Sequence, residues 1–258
     1  MNTEQKVIVV GLGEVGRPLL QLVSKYRRAV GVDIAPLAEE VGDVEILHIC
    51  YPFEIPDFVG ESVRYIERFR PQLTVINSTV AVGTTRAIAE RTGAAVVNSP
   101  IRGKHARMLE ELGDYTKYIG AIDSTAAEHA VKHFQSMGLK TRVLASPEAT
   151  ELAKLTETTY FGVLIAWAQE VERYCDRFGV DYDEVVSFYD EIKYLPRVKF
   201  FPGIIGGHCV MPNITILSKM LDSALLKTIV ASNRQKIERE DARKSCLSEI
   251  EVAVGSGR

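Results

Sequence analysis

The stretch Lys6-Val7-Ile8-Val9-Val10-Gly11-Leu12-Gly13-Glu14-Val15-Gly16 decides the fold. Its first half is an apolar, β-branched run with no polar alternation, ending at a glycine. A strand of that kind must be covered on both faces, as in the middle of a parallel sheet. The glycines then follow a G-x-G-x-x-G spacing between this strand and a helical pattern. The first allows a tight turn, the second lets backbone approach a pyrophosphate, and the third lets helix and strand pack closely. The helix adds free amides and the positive end of its dipole. Gly11, Leu12, Gly13, Glu14, Val15 and Gly16 are therefore the candidate dinucleotide-binding turn. The plainer reading is a glycine turn joining any strand to any helix.

The pattern repeats outward. Ala29 to Val32 reads as a second strand, Glu45 to Cys50 as a third, Leu73 to Asn77 as a fourth and Ala94 to Val97 as a fifth. Tyr118 to Ala121 and Thr141 to Leu144 read as two more. Helical stretches at about Glu14–Tyr26, Phe58–Phe69, Thr84–Arg91 and Ala126–Met137 separate them. Strands alternating with helices imply right-handed crossovers and a mostly parallel, doubly wound sheet of Rossmann type. Asp33 closes the second strand, where a carboxylate accepts hydrogen bonds from ribose hydroxyls and repels a 2′-phosphate. No arginine follows directly, which favours NAD over NADP. Ile34 beside it, Tyr51-Pro52 after the third strand and Ser78-Thr79 after the fourth are assigned to the same cofactor site.

From Ser146-Pro147 onward the pattern is helical. Glu148–Phe178 reads as one long helix whose middle, Tyr160 to Ala168, is apolar nearly all round. Such a surface needs cover on more than one side, and a homodimer packed through helix 148–178 is expected. Asp181–Glu191 suits a short helix, Lys193–Pro212 a loop, and Ile214 to about Arg239 a further long helix. The domains expected are 1–146 for the nucleotide, 147–240 as an all-helical dimerisation domain, and 241–258 as a disordered tail.

Composition excludes several classes. A net charge of −3, without a basic run, argues against nucleic acid as a partner. No apolar stretch reaches the roughly 18 residues of a membrane span, and no secretory leader is visible, so the expected setting is cytoplasmic. Cys50, Cys175, Cys209 and Cys246 have no C-x-x-C spacing, so neither a disulfide framework nor a metal site is expected.

Four later segments resemble the UDP-glucose/GDP-mannose dehydrogenase family. They are Asn77-Ser78-Thr79-Val80-Ala81-Val82-Gly83-Thr84-Thr85, Ser99-Pro100-Ile101-Arg102, Glu151-Leu152-Ala153-Lys154-Leu155 through Glu170, and Gly206-Gly207-His208-Cys209, in family order. The resemblance implies oxidation of a sugar alcohol with NAD. It implies a catalytic thiol at Cys209, an acid/base lysine at Lys154, and Thr158 and Asn213 as their neighbours. Read without it, Cys209 is a loop cysteine and Lys154 a solvated helix lysine.

The departures are chemical. Ile101 stands where the family carries a glutamate, Thr158 where it carries asparagine, and Asn213 where it carries aspartate. An amide cannot accept a proton at neutral pH, and threonine lacks the amide's two donors. The connection Ile34–Val44 is short for a crossover, and the sequence ends where the family places a third domain. Three readings stay open. One is an NAD-dependent dehydrogenase acting on a sugar-like or small hydroxy or carbonyl substrate. Another is a non-catalytic NAD-binding protein or partner of a full-length dehydrogenase. The last is a fragment of a longer chain.

Overall fold

The computed structural model describes residues 6–33, 43–103, 107–193, 201–207 and 209–255, with side chains as far as residue 245. Two compact units are present, Met1–Leu155 and Thr156–Arg258.

The first unit is a seven-stranded sheet in the order β2-β1-β3-β4-β5-β6-β7. Its strands are β1 (Lys6–Val10), β2 (Ala29–Val32), β3 (Val44–Ile49), β4 (Leu73–Ile76), β5 (Val96–Asn98), β6 (Lys117–Ala121) and β7 (Thr141–Leu144). All neighbours are parallel except β5 and β6. The helices are α1 (Gly16–Ser24), α2 (Phe58–Phe69), α3 (Thr84–Thr92), α4 (Met108–Asp114) and α5 (Ser124–Gln135). Strand β1 shows why the sheet is doubly wound. Val7 and Val9 enter one core layer with Leu19, Val23, Leu112 and Phe134 of α1, α4 and α5. Ile8 and Val10 enter the other with Phe58, Ile66 and Ile88 of α2 and α3. Each large apolar side chain so buried contributes roughly 1.5–3 kcal/mol, and the uninterrupted apolar run supplies one to each layer in turn.

The chain leaves β1 for β2 on one side and then crosses to β3 on the other. The crevice beyond the carboxyl ends of β1 and β3 is thus the switch point where ligands bind in such sheets. Helix α4 was not expected from sequence, because seven residues are too few to show a helical period. Residues 34–42, which include Ile34 and most of the short crossover, lie outside the described residues.

The long helix α6 (Pro147–Phe178) begins where expected, but the division between units falls after Leu155, inside it, rather than at 146/147. The reason is electrostatic and steric. Glu148 accepts from Arg86 Nε at 2.7 Å and Nη2 at 3.2 Å, and the buried Glu151 is bonded to the start of α3. A methyl group on Gly120 of β6 would meet Thr150 Oγ1 at 2.4 Å, so the helix lies directly on the strand.

The second unit holds the rest of α6, α7 (Tyr182–Ser187), a 3-10 turn (Phe188–Glu191), α8 (Val210–Met220) and α9 (Ala224–Gly255). The single helix expected over Ile214–Arg239 is two, parted at Leu221-Asp222-Ser223. Leu221 takes an extended backbone that ends α8, and Asp222 pairs with Lys227 in the first turn of α9. Helix α9 continues to Gly255, through most of the stretch expected to be a tail. It is tied to α6 by ion pairs, Lys236 to Glu172 at 2.7 Å and Arg239 to Asp176, and within α9 Lys236 also reaches Glu240 at 2.9 Å. Among the described residues no helix is long and apolar enough to cross a membrane.

Candidate functional site

The site in the first unit is built from the turn after β1. Gly11 has φ +87, and a Cβ there would lie 2.5 Å from the backbone N of Tyr51. A Cβ on Gly16 would lie 1.8 Å from the carbonyl oxygen of Gly11. Both glycines are therefore required by the backbone itself. Gly13 is different: nothing lies within 4 Å of its would-be Cβ, and the residue is exposed. Val15, at the N-cap of α1, has no polar side chain to cap the helix, whereas Asp57, Asp123 and Asp181 cap α2, α5 and α7. An open glycine edge beside an N-terminus without a polar cap residue fits a pyrophosphate. Asp33 is exposed at the end of β2, and Leu12, Glu14 and Val15 lie on the turn where expected. The residues present thus suit a dinucleotide.

The neighbouring strand ends close the crevice. Ser78 Oγ donates to the carbonyl oxygen of Tyr51 at 2.6 Å, joining the loops after β4 and β3. Tyr51 is half-buried, shares a 2.7 Å hydrogen bond with Ser62, and is held well above the usual phenol range by burial. Pro52 is exposed and Thr79 half-buried.

Beneath these loops runs a buried polar chain that sequence reading missed. Asn77 Nδ2 donates to the carbonyl oxygen of Ser99 at 2.8 Å, which fixes the amide's orientation. Its Oδ1 therefore accepts from His48 Nδ1 at 2.7 Å. His48 Nε2 must then accept from His133 Nε2, 3.0 Å away. Burial lowers the pKa of His48 to about 4 and that of His133 to about 2. Lys117, on β6, is buried too, and its Nζ donates to the carbonyl oxygens of Ser99 at 2.9 Å and Pro100 at 3.3 Å. Desolvation first, with the charge of Lys154 also contributing, brings Lys117 down to about 7. The available signal was a polar residue within the apolar part of a strand, His48 after Ile46-Leu47, and Lys117 opening KYIGA.

The two histidines make an acid-lability prediction. They stay neutral in the fold, while the unfolded chain takes up protons from 6.5 downward. Their contribution to stability is full above 6.5 and is lost as pH falls toward 4. The urea midpoint of a His48→Gln, His133→Leu double variant is expected to fall less over that range than the wild type's. Equal slopes would exclude the histidines as the cause.

The loop after β5 holds a further departure. Ile101 is buried in the core layer with Met108 and Leu112. The position that the resemblance assigns to a hydrolytic carboxylate is here part of the hydrophobic core. Lys154 is half-buried on α6, inside the first unit.

The other predicted catalytic residues belong to the second unit. Cys209 is exposed at the N-cap of α8 and is not in a disulfide. His208 and the side chain of Cys246 lie outside the described residues. Asn213, buried one turn into α8, donates from Nδ2 to Thr158 Oγ1 at 2.5 Å. Two of the three positions that depart from the family pattern thus pair with each other, a donor amide meeting an acceptor hydroxyl.

The approach to Cys209 is fixed from inside. Asn233 Oδ1 accepts from Ile205 N–H at 2.7 Å and its Nδ2 donates to Ile205 O at 2.9 Å. Gln169 Nε2 donates to Gly203 O at 2.7 Å, and Ser232 Oγ donates to Gln169 Oε1 at 2.9 Å. Their partners lie some thirty or more residues away in the chain, so only the fold could reveal these contacts.

Comparison with known proteins agrees with this layout. Residues 148–238 match the model of the UDP-glucose/GDP-mannose dehydrogenase family, central domain. A UDP-N-acetyl-D-mannosamine dehydrogenase of Methanococcus maripaludis is 31% identical over 257 residues, covering 80% of this chain and 59% of its own length. One of Campylobacter jejuni is 22% identical, covering 92% of this chain and 73% of its own. Through residues 148–238 the chain carries the central domain of the UDP-glucose/GDP-mannose dehydrogenase family. The family's fold is shared as well: the UDP-D-ManNAc dehydrogenase structure from Pyrococcus horikoshii superposes with a TM-score of 0.79 at 23% identity, over 96% of this chain and 72% of that one. The chain spans between 33% and 73% of the length of the curated relatives it matches.

Proposed function

We propose that the protein is an NAD-dependent dehydrogenase that removes a hydride from a CH–OH group of a nucleotide-sugar-like substrate. The observation that carries this reading is the turn at Gly11, Gly13 and Gly16, set at the sheet's switch point in the same unit as Lys154. Gly11 to Gly16 and Asp33 would hold the cofactor's pyrophosphate and adenosine ribose, with Tyr51, Pro52, Ser78 and Thr79 along its length. NAD, when bound, takes up the hydride. Lys154 Nζ holds and moves the hydroxyl proton, so the carbinol becomes a carbonyl with charge balanced. Cys209, exposed at the N-cap of α8, is the candidate nucleophile of the same reading.

The buried Ile101 favours a single oxidation, because the hydrolytic half of a double one lacks that carboxylate. It equally favours the second reading, an NAD-binding protein without turnover that partners a full-length dehydrogenase. The discriminating experiment offers NAD with UDP-N-acetyl-D-mannosamine, UDP-glucose and small hydroxy acids, and follows NADH formation. Turnover with a sugar nucleotide, ending at the aldehyde, is expected. Saturable NAD binding with no turnover on any of them would leave the binding-protein reading.

The cytoplasmic homodimer is part of the same proposal. Tyr160, Trp167 and Tyr174 recur every seven residues along α6, each 55% exposed in the single chain. Residues so spaced share one helix face, and an aromatic stripe of this size marks an interface. Sedimentation is expected to give a dimer at micromolar concentration and a monomer for Trp167→Glu. A wild-type monomer would contradict it.

A further inference from the structure

We propose that Glu151 is a positioning residue for Lys154, fixing the lysine's helix to the cofactor-side loop through the backbone amides of Gly83 and Thr85. The inference rests on the role given to Lys154 above. Glu151 is 1% exposed. Its Oε2 accepts from Gly83 N–H at 2.7 Å and its Oε1 from Thr85 N–H at 2.9 Å. A carboxylate is buried only where its oxygens are satisfied, and here the amides at the start of α3 satisfy both, assisted by the helix dipole. Burial still outweighs those bonds and raises the carboxyl's pKa.

The remoteness of this cap gives it a second effect. Helices α2, α5 and α7 each carry an aspartate at the N-cap that accepts from an amide three residues on. Helix α3 carries Gly83 there, with φ +93 and no side chain. An aspartate would have capped α3 as well but bound nothing else. The cap from Glu151 also fixes α6, and Lys154 follows three residues later, about one turn along. At the other end, the loop from Ser78 to Gly83 is bonded to Tyr51. One buried carboxylate thereby joins the segment that carries the candidate proton relay to the segment beside the candidate cofactor site.

The test uses Glu151→Gln and Glu151→Asp in the full chain, with thermal melts confirming that both fold. Gln keeps the shape but offers a donor to one amide, and Asp keeps the charge but is a methylene short. Hydrogen exchange at Gly83 or Thr85 is expected to quicken roughly tenfold, the worth of one hydrogen bond. Acetic anhydride labelling of Lys154, relative to the exposed Lys140, is expected to rise by about threefold or more as the helix start loosens and the neighbouring charge is lost or withdrawn. In turnover, kcat is expected to fall about tenfold while the Kd for NAD stays within about threefold. An unchanged labelling ratio overturns the proposal whatever the turnover. So does an unchanged kcat in an active wild type, which leaves Glu151 a helix cap only. A wild type without turnover whose Lys154 labelling still responds sinks the dehydrogenase reading and leaves the positioning role standing.

Discussion

Lys154→Met is expected to lower kcat by about 100- to 10,000-fold, the usual contribution of a positioned acid or base. NAD binding is expected to change by less than about threefold, because a group acting on the reacting proton leaves ground-state cofactor contacts alone. The size of the effect follows from where the lysine sits. It is half-buried on the two turns of α6 that Glu148 and Glu151 fasten to Arg86, Gly83 and Thr85. Its charge reaches Lys117, which holds the carbonyls of Ser99 and Pro100. Methionine keeps the length of the stem, so the packing survives and only the amine is lost. Steady-state kinetics alongside a fluorescence titration with NADH separate the two quantities. Turnover within about threefold of wild type would remove Lys154 from the chemistry.

The second large effect separates two glycines of one motif. Gly16→Ala places a methyl 1.8 Å from the carbonyl oxygen of Gly11 and 3.1 Å from Cys50 Cβ. Backbone must move on both sides, and overpacking of this kind typically costs about 1–3 kcal/mol. A fall in Tm and a loss of NAD binding are expected together. Gly13→Val puts its side chain into open space, so Tm is expected to hold. The same branched side chain stands where a pyrophosphate must approach the backbone, and NAD affinity is expected to fall about 100-fold or more, the scale of a lost charge-assisted contact set. Thermal melts and NAD titrations of both variants check the contrast. If Gly13→Val bound NAD normally, the turn would be a packing device and no cradle.

The sheet was legible because its cause is local. A strand buried on both faces must be apolar throughout, and β1 lies within the run that shows it. The glycine turn was legible for the same reason, since each glycine answers a steric demand inside one strand-turn-helix unit. Helices shorter than a few turns, such as α4, leave no period to read, and the break at Leu221–Ser223 leaves no proline or glycine to mark it.

By itself the sequence determined the alternation of strands and helices, the glycine turn after β1, and the family resemblance that named Lys154, Cys209, Thr158 and Asn213. Only the tertiary structure decided which unit carries each. Lys154 lies with the seven-stranded sheet because Glu151, more than sixty residues from the amides it accepts from, finds its partners only after the chain has folded. The same holds for the chain from His133 through His48 and Asn77 to Ser99, and for the pairing of Asn213 with Thr158. Hydrogen bonds between distant residues leave no periodic trace in a single sequence, whereas steric and hydrophobic demands between neighbours do.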